Sequence, residues 1–264
     1  MTHDFGVRHL SRPVKPRVSG ITQVLDRGLD LQRLTGILQD HSSHIDMIKF
    51  GWGSALVTST IYAKIEACRN HSIKPLLGGT LFEYCYLTNQ YAPFIALLDE
   101  LQLDCVEISN GANAIEQSTI CKLVRELAKE RFVCLEVGCK SLIHSETMTL
   151  ETWTSQIEAA LEAGANLVVL EARESGRAGY CESNGQAKEA FCQVFLERFG
   201  TDRLMFEAPT RDLQTTLINT YGSQLNLANI SYDDVVSLET IRLGLRFDSM
   251  FIHGIPSQLS TRDL

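Results

Sequence analysis

The stretch FVCLEVGCKSLIHSETMTLETWTSQIEAALEAGANLVVLEA, residues 132–172, holds one complete unit of the chain's architecture. Its apolar opening, 132–138, suits a strand buried on both faces. Apolar residues then recur at Trp153, Ile157, Ala160 and Leu161, the three- and four-residue steps of an amphipathic helix. Gly164 closes that helix, as a C-terminal glycine does. A second apolar run follows at 167–172. Parallel strands need a crossover, usually helical, so this order reads as a βαβ unit.

Outward from it the same unit recurs. The other candidate strands are 21–26, 46–51, 73–78, 105–109, 204–208 and 225–230, and consecutive starts lie 21 to 37 residues apart. Such spacings are too long for hairpins. Further helical stripes are Ala92, Ile95, Leu98 and Leu101 within 87–102, then Ile120, Leu123, Val124 and Leu127 within 116–130. Another is Val235, Leu238, Ile241 and Leu245. Eight strand–helix units predict a single-domain α/β fold, the (β/α)8 TIM barrel. A doubly wound open sheet would use fewer strands and often a glycine-rich turn after the first, which is missing here. The expected organisation is an N-terminal extension at 1–15, the barrel at 16–250 and a C-terminal tail at 251–264.

Composition narrows the function. The 264 residues are 44% apolar and 21% charged, ordinary for a globular chain and too apolar for a disordered one. The net charge of −8 argues against a nucleic-acid partner, which demands a basic surface. No segment has the roughly 18 continuous apolar residues of a membrane span, and the N-terminus has no signal-peptide core. The eight cysteines form no CxxC pair, so they read as reduced thiols of a cytoplasmic protein. The HSSH run at 41–44 lacks the paired cysteines of a zinc site.

In such a barrel, chemistry gathers at the C-terminal ends of the strands. This sequence puts Lys49 on strand 2, GGTLFE (78–83) after strand 3 and Glu107 on strand 4. Glu136 and Lys140 come from strand 5, Glu171 and Arg173 from strand 6, Glu207 from strand 7 and Asn229 from strand 8. Four glutamates stand in apolar surroundings: VEI, LEV, LEA and FEA. A buried carboxylate is costly unless paired or bound to a cation. Two readings stand: structural ion pairs with Lys49, Lys140 and Arg173, or a hard-cation site for Mg2+. Either suits an anionic substrate. Lys49 and Lys140 read as salt-bridge partners, as general acid or Schiff-base amines, or as point charges on an anion. Arg173 and Arg177 lie in ARESGRAG (172–179), read either as a surface loop or as an oxyanion cradle. GGTLFE lacks the GK[ST] ending of a P-loop and reads as a tight turn at the rim, where Gly79 and Thr80 could meet a ligand. His144 and His253 are left outside the site.

Taken together the runs resemble one family. The matching stretches are PRVSGITQVLDRGL (16–29), IDMIKFGWGSA (45–55), IKPLLGGTLFEY (73–84), VEISNG (106–111) and LEVGCK (135–140). They continue with AGANLVVLEARESGRAG (163–179), FEAP (206–209), NLANI (226–230) and SLETIRLGLRFD (237–248). These resemble the phosphosulfolactate synthases of coenzyme M biosynthesis, a barrel family that includes plant heat-stress-associated proteins. The resemblance implies Mg2+-dependent addition of sulfite to C3 of phosphoenolpyruvate, a carbon–sulfur lyase run in the synthetic direction. It implies Lys140 as general acid, with Lys49 second, and Glu107, Glu136, Glu171 and Glu207 around the metal. Arg173 and Arg177 would then face sulfite or phosphate, and Asn229 and the LRFD segment (245–248) would hold the phosphate. Three positions depart from the family pattern: Phe247 stands for a glycine, Asn110 for an acid and Cys139 for the first lysine of an EVGKK-type run. The competing functions are a Schiff-base aldolase using Lys49 or Lys140 and a non-catalytic stress-associated barrel. The expected partners are small anionic molecules, with a homo-oligomer left open.

Overall fold

The computed structural model describes residues 9–140 and 147–250. Eight parallel strands alternate with helices in a nearly closed barrel. The strands are β1 (Thr22–Asp26), β2 (Met47–Phe50), β3 (Lys74–Leu77), β4 (Cys105–Ile108), β5 (Phe132–Val137), β6 (Leu167–Leu170), β7 (Leu204–Glu207) and β8 (Asn226–Ile230). Hydrogen-bonded neighbours run β3-β2-β1-β8-β7-β6-β5-β4, so the seam lies between β3 and β4.

The helices follow in order: α1 (Leu31–His41), α2 (Ile61–Asn70), α3 (Gly79–Leu87), α4 (Tyr91–Glu100), α5 (Gln117–Leu127) and α6 (Leu150–Glu162). Then come α7 (Glu189–Phe199), α8 (Arg211–Tyr221) and α9 (Val235–Arg242). The stripes on α5 and α6 work as expected: Ile120, Leu123, Val124, Leu127, Trp153, Ile157 and Ala160 are all buried. Thr149 caps α6 by accepting from the Thr152 N–H, which satisfies one orphan donor of the first turn.

The segment 78–102 differs from expectation. GGTLFE is not a tight turn; it opens α3, with Gly78 in the extended N-cap conformation. The helix expected within 87–102 is α4, and the unexpected α3 ends before it at Asn89, whose φ of 58° no right-handed helix accommodates. Phe94, Leu98 and Leu101 carry the buried stripe there, and Ala92 faces out.

Two apolar layers result. Between strands and helices lies the larger core, which includes Phe50, Phe82, Phe94, Trp153 and Phe206. Inside the barrel, Ile21, Met47, Leu76, Cys105, Cys134, Leu167, Val169, Met205 and Ala228 fill the lower levels. Side chains alternate along a strand, so the inward position two residues above Met47 is Lys49. By the same step Cys105 leads to Glu107, Cys134 to Glu136, Val169 to Glu171 and Met205 to Glu207. The polar layer is therefore the top of the filled interior.

The opposite end is closed by arginines. Arg242, fully buried, donates to the carbonyls of Ser223, Leu225 and Ile21 at 2.5, 2.7 and 3.3 Å. Arg12 pairs with Glu239 at 3.1 Å, and Lys15 donates to the carbonyls of Ser42, Ile45 and His71. Residues 9–15 of the expected extension therefore pack onto the barrel floor. The expected tail, 251–264, and both His144 and His253 lie outside the described residues.

Candidate active site

The polar layer lines a cavity of about 200 Å³ at the C-terminal mouth. That is below the ~300 Å³ lower end of ordinary small-molecule pockets, and it suits a compact acid rather than a nucleotide. Its walls bring together Lys49, Gly79, Thr80, Glu107, Glu136, Lys140, Glu171, Arg173, Glu207 and Asn229, with Trp52 and Glu174 at the rim. Of the single residues expected at the site, all but one converge there.

The exception is Arg177. It is exposed and lines a separate cavity with Cys181, Glu182 and Lys188. The loop after β6 doubles back at Gly179, where the backbone passes so close to the Glu171 carbonyl that a Cβ would overlap it. Between the two arginines the chain turns, the Gly176 N–H donating to the Arg173 carbonyl at 3.1 Å, and Arg173 lines the mouth while Arg177 does not. The LRFD segment is also elsewhere. α9 carries the chain to the barrel floor before residue 245, and the short helix Phe247–Ser249 packs outside against α8 and α9. Phe247 therefore blocks nothing at the mouth.

The four glutamates divide into two pairs. Glu107 is committed: Oε2 accepts from Lys49 Nζ at 3.1 Å and Oε1 from the Gly79 N–H at 3.0 Å. Glu207 is committed as well. Its Oε2 accepts from the Ala172 N–H at 3.0 Å, and its Oε1 accepts from Asn229 Nδ2 and lies 3.5 Å from Lys49 Nζ. These two carboxylates serve the buried lysine. Burial pushes the Lys49 ammonium down, but Glu107, Glu207 and Glu136 outweigh it and hold its pKa above the ordinary value. Burial raises the Glu107 carboxyl above its usual range, against the pull of Lys49.

Glu136 and Glu171 form the open pair. Glu136 lies 3.1 Å from Lys140 Nζ; burial raises its carboxyl, and Lys140 with Lys49 overcomes that and lowers it. Glu171 Oε1 accepts from the Arg173 N–H at 2.5 Å. Among the described residues, Glu171 Oε2 is buried with no donor, and Asn229 Oδ1 is buried in the same state. Burial, then the facing charges of Glu207 and Glu136, push the Glu171 carboxyl well above its usual range. Such a group holds a proton or meets a cation. Among the described residues, no three acids, thiols or imidazoles converge closely enough to cage a metal unaided. Mg2+ does not need a cage: it takes one or two carboxylates and fills its octahedron with water and substrate oxygens. The free oxygens of Glu171 and Asn229, beside Glu136, are hard donors of that kind.

Lys140 stands at the open edge, its side chain 31% exposed. Nζ lies 3.1 Å from Glu136, 3.2 Å from Glu83 and 3.4 Å from Thr80 Oγ1. Despite burial, Glu136, Glu171 and Glu83 hold its ammonium above the ordinary range. Its neighbour Cys139 is buried below it, with Sγ toward the Gly111 carbonyl at 3.6 Å. The mouth therefore receives the second residue of the CK pair. Asn110, the other departure, builds its own loop by accepting from the Ala114 and Ile115 N–H groups.

Sequence reasoning missed Glu83. The available signal was an acid within LFEYCYL, an apolar run that the fold buries.

Residues 10–248 match the family pattern of (2R)-phospho-3-sulfolactate synthase (ComA). The chain belongs to this family. A phosphosulfolactate synthase of Bacillus subtilis is 35% identical over 251 residues, covering 95% of this chain and all of that one. One from Methanocaldococcus jannaschii is 36% identical over 234 residues, covering 87% and 93%. The Arabidopsis thaliana protein HEAT-STRESS-ASSOCIATED 32 is 22% identical over 261 residues, covering 88% of each. Among solved structures, a putative deoxyribose-phosphate aldolase from Toxoplasma gondii superposes with a TM-score of 0.54 at 14% identity, covering 85% of this chain and 94% of that one. A 3-hexulose-6-phosphate synthase from Salmonella typhimurium gives 0.52 at 14%, covering 86% and 100%. These last two show the barrel alone. The family makes the chain an enzyme of the lyase type acting on small molecules. No helix among the described residues is long and apolar enough to cross a membrane.

Proposed function

We propose that the chain adds sulfite to C3 of phosphoenolpyruvate with Mg2+ bound at the mouth, giving (2R)-phospho-3-sulfolactate. The charge count at the cavity carries this reading. Five carboxylates (Glu107, Glu136, Glu171, Glu174, Glu207) face three cations (Lys49, Lys140, Arg173), a formal excess of two negative charges. A divalent cation cancels that excess and lets two anions meet there. Glu171 Oε2 with Glu136 and Asn229 Oδ1 would hold it. When bound, Mg2+ supplies Lewis-acid charge at the substrate carboxylate, where negative charge develops.

The chain's own residues do the rest. The sulfur lone pair forms the C3–S bond, and the C2=C3 π electrons move onto C2 and its carboxylate. The Lys140 ammonium delivers a proton to C2, and the amine left behind regains one from water at the exposed edge. The phosphate ester stays intact. An ammonium held well above its ordinary pKa is a weak acid, but a carbanion beside a carboxylate is a far stronger base, so the transfer runs downhill. Delivery from one wall sets one configuration at C2. Lys49, locked between Glu107 and Glu207, is a fixed charge that orders those carboxylates. Arg173, with one guanidinium nitrogen 2.9 Å from the Lys140 carbonyl, supplies exposed positive charge at the rim. A Schiff-base aldolase needs a neutral amine, and the carboxylates around both lysines favour the opposite state.

Purified protein with phosphoenolpyruvate, sulfite and Mg2+ should convert the phosphoenolpyruvate 31P signal into one new phosphomonoester signal. EDTA should stop the conversion. Unchanged phosphoenolpyruvate under saturating sulfite and Mg2+ would overturn the reading.

A further inference from the structure

Lys140 is placed by a device that neither the sequence motifs nor the reaction calls for. Glu83 sits on α3, on the far side of the β3–β4 seam, and is buried. Its carboxylate gathers donors from the loop after β4: Ser109 Oγ, the Gly111 N–H at 3.2 Å and the Ala112 N–H at 2.9 Å. It also accepts from Lys140 Nζ at 3.2 Å. The loop so tied becomes the track for the lysine. The Lys140 N–H donates to the Gly111 carbonyl at 2.9 Å. A Cβ on Gly111 would sit 2.4 to 2.7 Å from the Cδ, Cγ and Cε of Lys140.

We infer that Glu83 is a positioning residue for Lys140: through the 109–112 loop and a direct ion pair it fixes where the ammonium stands over the cavity. An ammonium has three N–H donors. Glu83 takes one at 3.2 Å, Glu136 Oε1 lies 3.1 Å away as an ion-pair partner, and among the described residues the remaining donor meets Thr80 Oγ1 at 3.4 Å. That weakly engaged donor is the one left for a substrate carbon. Without Glu83 the ammonium would swing to Glu136 alone, and its stem would lose the tied loop beneath it. The inference deepens the reading of Lys140 as the acid and rests on it.

The test is a double-mutant cycle with kcat and KM measured separately. Glu83→Gln keeps an acceptor for the loop and removes the charge. It should lower kcat by ~10- to 10²-fold, as a misplaced catalytic group does, and leave KM for phosphoenolpyruvate nearly unchanged. On a Lys140→Ala background the same change should cost nothing further. Glu83→Asp should recover part of the loss. Gly111→Ala, which leaves Glu83 intact and displaces the lysine stem, should reproduce the kcat loss if Glu83→Gln folds poorly. An equal loss from Glu83→Gln with and without Lys140, or full kcat in both Glu83→Gln and Gly111→Ala, would overturn the inference. A second readout needs no turnover. Competitive acetylation read by mass spectrometry should label Lys140 several-fold faster in Glu83→Gln than in wild type, with exposed Lys122 and Lys129 unchanged. Unchanged Lys140 labelling would refute the direct ion pair even if the sulfite reaction proves wrong. Faster labelling in a protein that makes no sulfonate product would sustain Glu83 and sink the substrate assignment.

Discussion

Glu171 is the residue at which the acids of the mouth meet. Its carboxyl is raised in the folded protein, so ionising it costs folding stability. That cost is absent below the ordinary carboxylate value near ~4.3, grows as pH rises toward the folded value, and is complete above it. Glu171→Gln should therefore raise the melting temperature of metal-free protein at neutral pH, by ~2–4 °C for each kcal/mol of charge cost removed. The same variant should lose most of the stabilisation that Mg2+ gives the wild type. Differential scanning calorimetry with and without Mg2+ measures both; a variant that melts lower in both conditions contradicts the assignment. Lys140→Ala should lower kcat by ~10²- to 10⁴-fold, the usual worth of a general acid, with the fold intact by circular dichroism. Lys49 differs in kind. Lys49→Ala leaves Glu107 and Glu207 buried without their shared cation, and should cost ~3–5 kcal/mol of stability in urea titrations.

The elements decide which residues of a motif reach the chemistry. ARESGRAG contains two arginines, and sequence alone gave them equal standing. The turn at Gly176 lies between them, with Arg173 at the mouth and Arg177 at another cavity. Arg177→Ala should accordingly leave kcat/KM within about twofold of wild type, since surface changes away from a site rarely cost more than ~0.5 kcal/mol; a loss of an order of magnitude in steady-state assays would contradict the placement. The strands were legible because each is a short apolar run and all eight repeat one unit. The four glutamates were legible because an acid in such a run is conspicuous. Their division into committed and open pairs was not, since it depends on the Gly79 and Ala172 N–H groups, donors that every residue but proline carries. Glu83 was hidden for a related reason: α3 begins two residues after β3, where a turn was expected, and an acid in a turn attracts no notice. The LRFD segment read as a rim loop only because the length of α9, which carries it to the floor, leaves no mark in the motif.

At the scale of the whole molecule the barrel separates function from support. Carboxylates and lysines crown one end; arginines and the 9–15 segment seal the other. Deleting residues 1–15 would strip Arg12 from Glu239 and Lys15 from three carbonyls. The melting temperature should fall by several degrees, at ~2–4 °C per kcal/mol, and a truncated chain that melts like the full one would show the segment to be a mere extension. The mouth's two excess negative charges, set in a cavity of about 200 Å³, join the fold to its chemistry. On the proposed reading, this mouth takes up a divalent cation and protonates C2 from one wall. Running the reaction with phosphoenolpyruvate, sulfite and Mg2+ in D2O, and reading the product by 1H NMR, tests it most directly. The account predicts one deuterium at C2 in a single configuration. Deuterium at C3, a mixture of configurations at C2, or pyruvate in place of a sulfonate would contradict it.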